Sequence, residues 1–315
     1  MEKKQKINII GSGVIGLTTA VYLQNKGFEV TIYTKEMPSE TTSAVAAAIW
    51  FPYNVSPKEK VSLWSKFTYQ YFSKLALNSR SGVQFVPVTI IEKTMEDCWW
   101  LEAIPNQNYT KIPFKDLPLG YNIGFKVNIP FIESSVFLDF LLQKFLMNGG
   151  KIIQKEIMSF AELDAEIPIV NCSGLGAIEL CEDEELFPVK GQIVTVPKQA
   201  KINSLIVNYN IDTKGEELIY IIVRNNDIVL GGTSVNGNFD KTIDNEVSTK
   251  IIERCKGILP NLKNTNIIKE KVGLRPKRLS IRLEKEGNII HNYGHGGAGF
   301  TVSWGCADSV YNMLL

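Results

Sequence analysis

The segment Ile7–Ile10 followed by Gly11-Ser12-Gly13-Val14-Ile15-Gly16 constrains this chain more than any other feature. Three isoleucines, interrupted only by Asn8, lead into the glycines, and Val14, Leu17, Ala20, Val21 and Leu23 then recur at helical spacing up to Gly27. Glu29–Tyr33 supplies a second β-rich run, so a strand-helix-strand unit with parallel strands and a right-handed crossover is expected. In that setting each glycine has a task. The first permits the tight turn, the second lets the backbone approach a pyrophosphate, and the third lets the helix, opened by Val14 and Ile15, pack closely on the strand. The N–H groups and the positive end of the helix then suit a diphosphate. Glu36, just past the second strand, is placed to accept hydrogen bonds from ribose hydroxyls, and Lys35 reads as a solvated neighbour or an adenine-side contact. The motif does not by itself divide FAD from NAD.

Downstream the pattern shifts. Prolines, aromatics and polar residues crowd between Phe51 and Pro130, with a helix expected over Lys58–Leu77. An amphipathic helix over Glu133–Gly149 and buried strands at Lys151–Gln154 and Ile167–Asn171 return to the first pattern, ending at a Cys172-Ser173-Gly174 turn. Gly191–Val196, Leu205–Val207, Leu218–Val223 and Ile228–Gly231 read as a mostly antiparallel sheet, followed by a helix over Asn245–Ile258. A strand near Ile289–His291 and a helix starting near Thr301 close the chain. The expected fold class is α/β: a Rossmann-like domain formed by residues 1–50, 131–190 and 265–315, with a second α+β substrate domain, on a mostly antiparallel sheet, from residues 51–130 and 191–264.

Charge narrows the partners. Lys plus Arg number 34 against 33 Asp plus Glu, which gives no electrostatic reason to expect nucleic acid or an anionic membrane. No apolar run reaches the roughly 18 residues of a spanning helix, the longest lying near Ala44–Phe51. The polar start, Met1–Lys6, runs straight into a strand with no signal-peptide pattern, and five scattered cysteines without a CxxC pair point to reduced thiols. A cytoplasmic protein is expected.

The C-terminal segment discriminates further. Gly273-Leu274-Arg275-Pro276 precedes His291-Asn292-Tyr293-Gly294-His295-Gly296-Gly297-Ala298-Gly299-Phe300-Thr301, whose glycines cost backbone entropy unless the chain must pass close to something flat. An isoalloxazine ring is such an object, and a helix N-terminus near Thr301 could stabilise the negative charge that grows on its N1–O2 edge during reduction. Arg275 offers a planar fork for a carboxylate. The two histidines, His291 and His295, sit among glycines and so do not suggest a helical metal site; no metal is expected. No GxSxG elbow is present and no Cys–His pair is suggested.

With Thr41-Thr42-Ser43 and Val45-Ala46-Ala47-Ala48-Ile49-Trp50 added, these motifs make the chain resemble D-amino acid oxidase over almost its whole length. The resemblance implies noncovalent FAD and oxidation of a D-amino acid by hydride transfer from Cα to flavin N5, yielding a 2-oxo acid, ammonia and hydrogen peroxide. It implies that Arg275 clamps the substrate carboxylate, Tyr220 assists through its hydroxyl, and the Gly297 carbonyl receives the amine. Phe51 and Tyr53 join these three in the substrate pocket. It further implies cofactor contacts from Gly11, Gly13, Val14, Ile15, Gly16, Lys35, Glu36, Thr41, Thr42, Ser43, Ala47, Ala48, Ile49, Ile157, Ser173, Gly174 and Gly296–Thr301, the last run including Ala298, Gly299 and Phe300.

The chain departs from mammalian members of that family at Glu216, Phe51, Ala48 and Ala298, which leaves the lid and side-chain pocket open. The partners implied are a small D-amino acid and molecular oxygen, and a homodimer is compatible. Rival readings are an oxidase of glycine, sarcosine or D-aspartate, a catalytically silent FAD-binding protein, and a nicotinamide-dependent dehydrogenase. D-Aspartate would require a second cation, for which Arg224 and Arg278 are the candidates.

Overall fold

The computed structural model describes residues 4–118, 120–208 and 214–315, arranged in two compact units. In chain order its elements are β1 (Lys6–Ile10), α1 (Val14–Asn25), β2 (Glu29–Thr34), α2 (Thr42–Val45), α3 (Lys58–Leu75), β3 (Val83–Glu92), β4 (Tyr109–Lys111) and β5 (Ile123–Ile132). There follow α4 (Ser134–Met147), β6 (Lys151–Gln154), β7 (Ile169–Asn171), α5 (Ala177–Leu180), β8 (Phe187–Pro197), β9 (Ser204–Val207), β10 (Glu217–Val223), β11 (Asp227–Thr233) and β12 (Val235–Asn236). The last are α6 (Asn245–Ile258), β13 (Lys269–Glu286), β14 (Ile289–His295) and α7 (Gly299–Leu314).

The first unit comprises Met1–Val83, Ile132–Phe187 and Arg275–Leu315. Its core is a parallel sheet in the order β6-β2-β1-β7-β14, with β13 antiparallel to β14. Strand β1 is central and buried on both faces, which is why Ile7, Ile9 and Ile10 are all apolar. Helix α1 is buried almost all round because α4 and α7 cover what the sheet does not.

The second unit comprises Gln84–Phe131 and Pro188–Leu274. Here β9, β10, β11 and β8 run antiparallel to their neighbours, β3 joins β9 in parallel, and β4 pairs β5 antiparallel. Ile91, Val194, Leu205, Ile221 and Leu230 pack with Ile251 and Cys255 of α6 into one core. Asp244 caps α6 by accepting from the N–H groups of Glu246 and Val247, and is itself clamped to β8 by the buried Gln192 side chain.

The unit boundaries differ from those expected from sequence. Residues 51–83 lie in the first unit rather than the second, because α3 packs on α7 so closely that a Cβ on Gly305 would collide with the Trp64 backbone. Trp64 Nε1 donates to Ser309 Oγ at 2.9 Å, and the Gly305 N–H donates to Thr68 Oγ1 at 3.0 Å. Residues 265–274 fall in the second unit, where the Ile268 N–H donates to the Thr195 carbonyl at 2.8 Å. Helix α7 also begins two residues earlier than Thr301, at Gly299.

One buried acid links fold to pH. Glu92, 1% exposed, accepts from Trp100 Nε1 at 2.5 Å and Asn208 Nδ2 at 2.7 Å, both at Oε1, while Oε2 is buried without a partner. Burial pushes its carboxyl up to about 8. The folded chain therefore holds a proton that the unfolded chain loses near pH 4.5, so this group lowers stability as pH rises from about 4.5 through about 8. Glu92→Gln keeps the Oε1 acceptor and removes the titration. The variant should match the parent near pH 5 and exceed it by on the order of a few kcal/mol at pH 9 in denaturant titrations. Parallel pH profiles would contradict this assignment.

Candidate functional site

Three backbone segments meet in the first unit without room for side chains. A Cβ on Gly11, whose φ is +104°, would strike the Cys172 carbonyl, and one on Gly16 would strike the Gly11 carbonyl. Gly13 caps α1, and a Cβ there would stand 3.2 Å from Ser43 Oγ, which accepts from the Val14 N–H at 3.0 Å. The first intrahelical bond runs from Leu17 N–H to Gly13 O, leaving the N–H groups of Ile15 and Gly16 ahead of it. No acidic residue occupies this first turn, so no carboxylate offsets its positive end.

The loop after β2 is tied to the same turn. The Ser12 and Thr34 hydroxyls each donate to the Glu36 carbonyl at 2.7 Å, which fixes Glu36 beside the glycine turn. Lys35 forms an exposed ion pair with Glu156 at 2.7 Å, so it is a solvated neighbour that faces a carboxylate. Thr41 Oγ1 donates to Pro38 O, and α2 carries Thr42 and Ser43. Ala47 and Ile49 flank Ala48, whose φ of +48° is left-handed and whose carbonyl accepts from Ile132 N–H. Ile157 is 6% exposed and packs with Ile10, Leu163 and Ile169.

The C-terminal motifs converge here as well. A Cβ on Gly299 would lie 3.5 Å from Val14 Cγ1, so α7 and α1 begin side by side although far apart in sequence. The first bond of α7 runs from Val302 N–H to Ala298 O, leaving the N–H groups of Gly299, Phe300 and Thr301 ahead of it, again without an acidic residue in the first turn. Gly174, with φ +59°, faces Pro276 at about 4 Å from its own Cβ position. A Cβ on Gly297 would meet Arg275 Cδ at 3.6 Å and Tyr53 Cδ1 at 3.2 Å, which puts Arg275, Gly297 and Tyr53 together. Lys277 flanks Gly296 in the same way.

Thr301 also ties the helix start to the Phe51 backbone. Its hydroxyl donates to the Phe51 carbonyl and accepts from the Phe51 N–H, both at 3.0 Å, so the side chain braces the buried Phe51 and only its N–H points along the helix start. In the second unit, Tyr220 rests its ring on the Gly231–Gly232 backbone, where a Cβ on either glycine would collide with it. Arg254 donates to the Gly232 carbonyl at 3.1 Å and pairs with Glu217 at 3.0 Å.

Both candidate second cations are engaged elsewhere. Arg224 makes a bidentate pair with Asp227 at 2.5 and 2.7 Å, and Arg278 pairs with Asp183 at 3.0 Å and Glu185 at 3.3 Å. One Cys–His contact that the sequence does not suggest is present: Cys181 Sγ lies 3.9 Å from His291 Nδ1. Sequence could not show it, because 110 residues separate the two. Burial raises the thiol and lowers the imidazole, which opposes an ion pair between them.

These features fit a dinucleotide. Two adjacent helix N-termini, a glycine cradle that any Cβ would fill and the buried, unpartnered Ser173 Oγ leave donors for an anionic, extended ligand. Residues 6–102 and 130–313 match the family described as FAD dependent oxidoreductase (DAO), and the chain belongs to that family. A D-amino-acid oxidase of Rubrobacter xylanophilus is 36% identical over 309 residues, covering 95% of this chain and 93% of the relative. One from Streptomyces coelicolor is 33% identical over 320 residues, covering 99% and 97%. Among solved structures, glycine oxidase from Geobacillus kaustophilus superposes with TM-score 0.80 at 16% identity, covering 99% of this chain and 95% of that one. L-Proline dehydrogenase from P. horikoshii superposes with TM-score 0.78 at 18% identity, covering 100% and 94%. At those identities the structures establish a shared fold.

Gly13→Ala tests the cradle directly, since the new methyl would stand 3.2 Å from Ser43 Oγ, which must give by a few tenths of an ångström, and would block close approach of a diphosphate. The folded variant should bind FAD at least about tenfold more weakly in fluorescence titrations of apoprotein, a loss of about 1.4 kcal/mol. Unchanged affinity would contradict the assignment.

Proposed function

We propose that this protein is an FAD-dependent oxidase of small D-amino acids, converting them to 2-oxo acids and ammonia with reduction of oxygen to hydrogen peroxide. The observation that carries the reading is the meeting of Arg275, Gly297 and Tyr53 beside the cofactor cradle, in a chain that shares over 30% identity with D-amino-acid oxidases along nearly its full length. Bound FAD supplies the acceptor for the Cα hydrogen and passes the electrons to oxygen. The chain supplies orientation. Arg275 receives the carboxylate through its guanidinium fork, the Gly297 carbonyl accepts a hydrogen bond from the amine, and Tyr220 is assigned to the carboxylate by the family resemblance.

No histidine is available as a base. Burial holds His295 down at about 3, so it is neutral, and both ring nitrogens of His291 face other groups. An amine that loses its proton before hydrogen transfer satisfies the chemistry without one. The N–H groups opening α7 suit the charge that develops on the cofactor during reduction.

The committed states of Arg224 and Arg278 disfavour a preference for D-aspartate through those residues. A cytoplasmic setting is supported by five cysteines that are all unpaired. No helix among the described residues is long and apolar enough to cross a membrane. A second copy of the chain remains a compatible partner.

D-Alanine, D-aspartate, glycine and L-alanine should be added separately under anaerobic conditions while the flavin band is followed. Bleaching by D-alanine, with peroxide formed on readmission of air, is the expected result; a flavin reduced by none of them, or by L-alanine alone, would overturn the reading. Arg275→Ala should retain FAD and lose at least about a hundredfold in kcat/KM, since a charge-assisted fork contributes roughly 1.5–3 kcal/mol per bond. A loss below threefold would remove Arg275 from the substrate.

A further inference from the structure

Asn171 ends β7 and is fully buried, one residue before the turn that meets Gly11. Its carboxamide is used on both sides. Oδ1 accepts from the Ser173 N–H at 3.1 Å, while Nδ2 donates to Cys181 Sγ at 3.1 Å and faces His291 Nδ1 at 3.4 Å. The amide orientation is fixed by chemistry, because an N–H at Ser173 requires an oxygen opposite it. The imidazole follows: Nδ1 faces an amide donor and is unprotonated, so the proton resides on Nε2, 3.2 Å from Glu286 Oε2. Burial, which lowers His291 from its ordinary value, favours the same neutral tautomer.

The consequence falls on the turn. Backbone bonds hold Cys172, whose N–H donates to Ile10 O at 2.8 Å, but Ser173 N–H has its acceptor in the Asn171 side chain. With that N–H drawn inward, Ser173 Oγ is left buried and unpartnered, and Gly174 adopts its left-handed φ of +59° against Pro276. A slack turn would shift both the Cys172 carbonyl packed on Gly11 and the Ser173 hydroxyl.

We propose that Asn171 is a positioning residue for FAD, with neutral His291 and the Cys181 thiol holding its carboxamide so that the Cys172–Gly174 turn is preset for the cofactor. This rests on the assignment of Ser173 and Gly174 to the cofactor site. The role is distinct from catalysis, since neither Asn171 nor His291 is assigned a contact with substrate.

The test is FAD affinity of folded apoprotein by fluorescence titration, with apoprotein melting recorded in parallel. Asn171→Ala should raise the FAD Kd about tenfold. His291→Gln, which keeps an acceptor for Asn171 and a donor for Glu286, should bind FAD within about twofold of the parent, whereas His291→Phe should bind at least about threefold more weakly. Should Asn171→Ala fail to fold, the Gln and Phe pair decides alone. Parental affinity in Asn171→Ala and His291→Phe, with only a lowered melting temperature, would reduce the cluster to a structural support and overturn the proposal. Gly13→Ala separates the two levels: if it too binds FAD normally, the cofactor-site assignment has failed, and if it alone is weakened, only the role of Asn171 has.

Discussion

The contact on which the rest depends is backbone against backbone, where Gly11 meets the Cys172 carbonyl and Gly16 meets the Gly11 carbonyl. Neither position has room for a methyl group, and Gly11 is also left-handed at φ +104°. The approach brings the ends of β1 and β7 and the start of α1 into one place, so that helix N–H groups and the Cys172–Gly174 turn share a surface. Glycines elsewhere extend the same principle. Gly299 brings the start of α7 beside Val14, and Gly305 lets α3 lie directly on α7.

A polar anchor lies further along the strand that carries Arg275. Asp183 is buried and accepts from Tyr293 at 2.6 Å and Arg278 at 3.0 Å, while Arg282 bonds the Tyr293 hydroxyl and pairs with Glu284 and Glu286. Burial raises the Asp183 carboxyl, but Tyr293 and Arg278 outweigh it and keep the group below its usual range. A buried charge satisfied on several sides fixes orientation more than it adds stability. This one ties β13 to β14 through Arg278 and Tyr293.

Local patterns were legible where sequence neighbours decide the structure. The β1-α1-β2 unit, the start of α4 and the bounds of α6 follow from periodicity and capping, since Asp244 immediately precedes Asn245. Long-range contacts left no such trace. An amphipathic α3 says that one face is buried but not against what, so the Trp64–Ser309 bond across 245 residues moved a domain boundary. Strand β13 was hidden by Pro276 and by its many charges; the charged side chains stay exposed or half-buried along the strand, and Pro276, which lacks a donor, still pairs through its carbonyl, accepting from Gly296 N–H at 2.7 Å. The Asn171–His291–Cys181 cluster joins three segments that share no pattern in sequence.

The most direct test of this account is a crystal structure of the protein grown with FAD. The diphosphate should lie on the N–H groups of Ile15 and Gly16, Ser173 should contact the cofactor, and the N1–O2 edge of the isoalloxazine should face the N–H groups of Gly299, Phe300 and Thr301. A diphosphate bound away from the Gly11–Gly16 turn, or a flavin ring whose O2 edge points away from the start of α7, would contradict it.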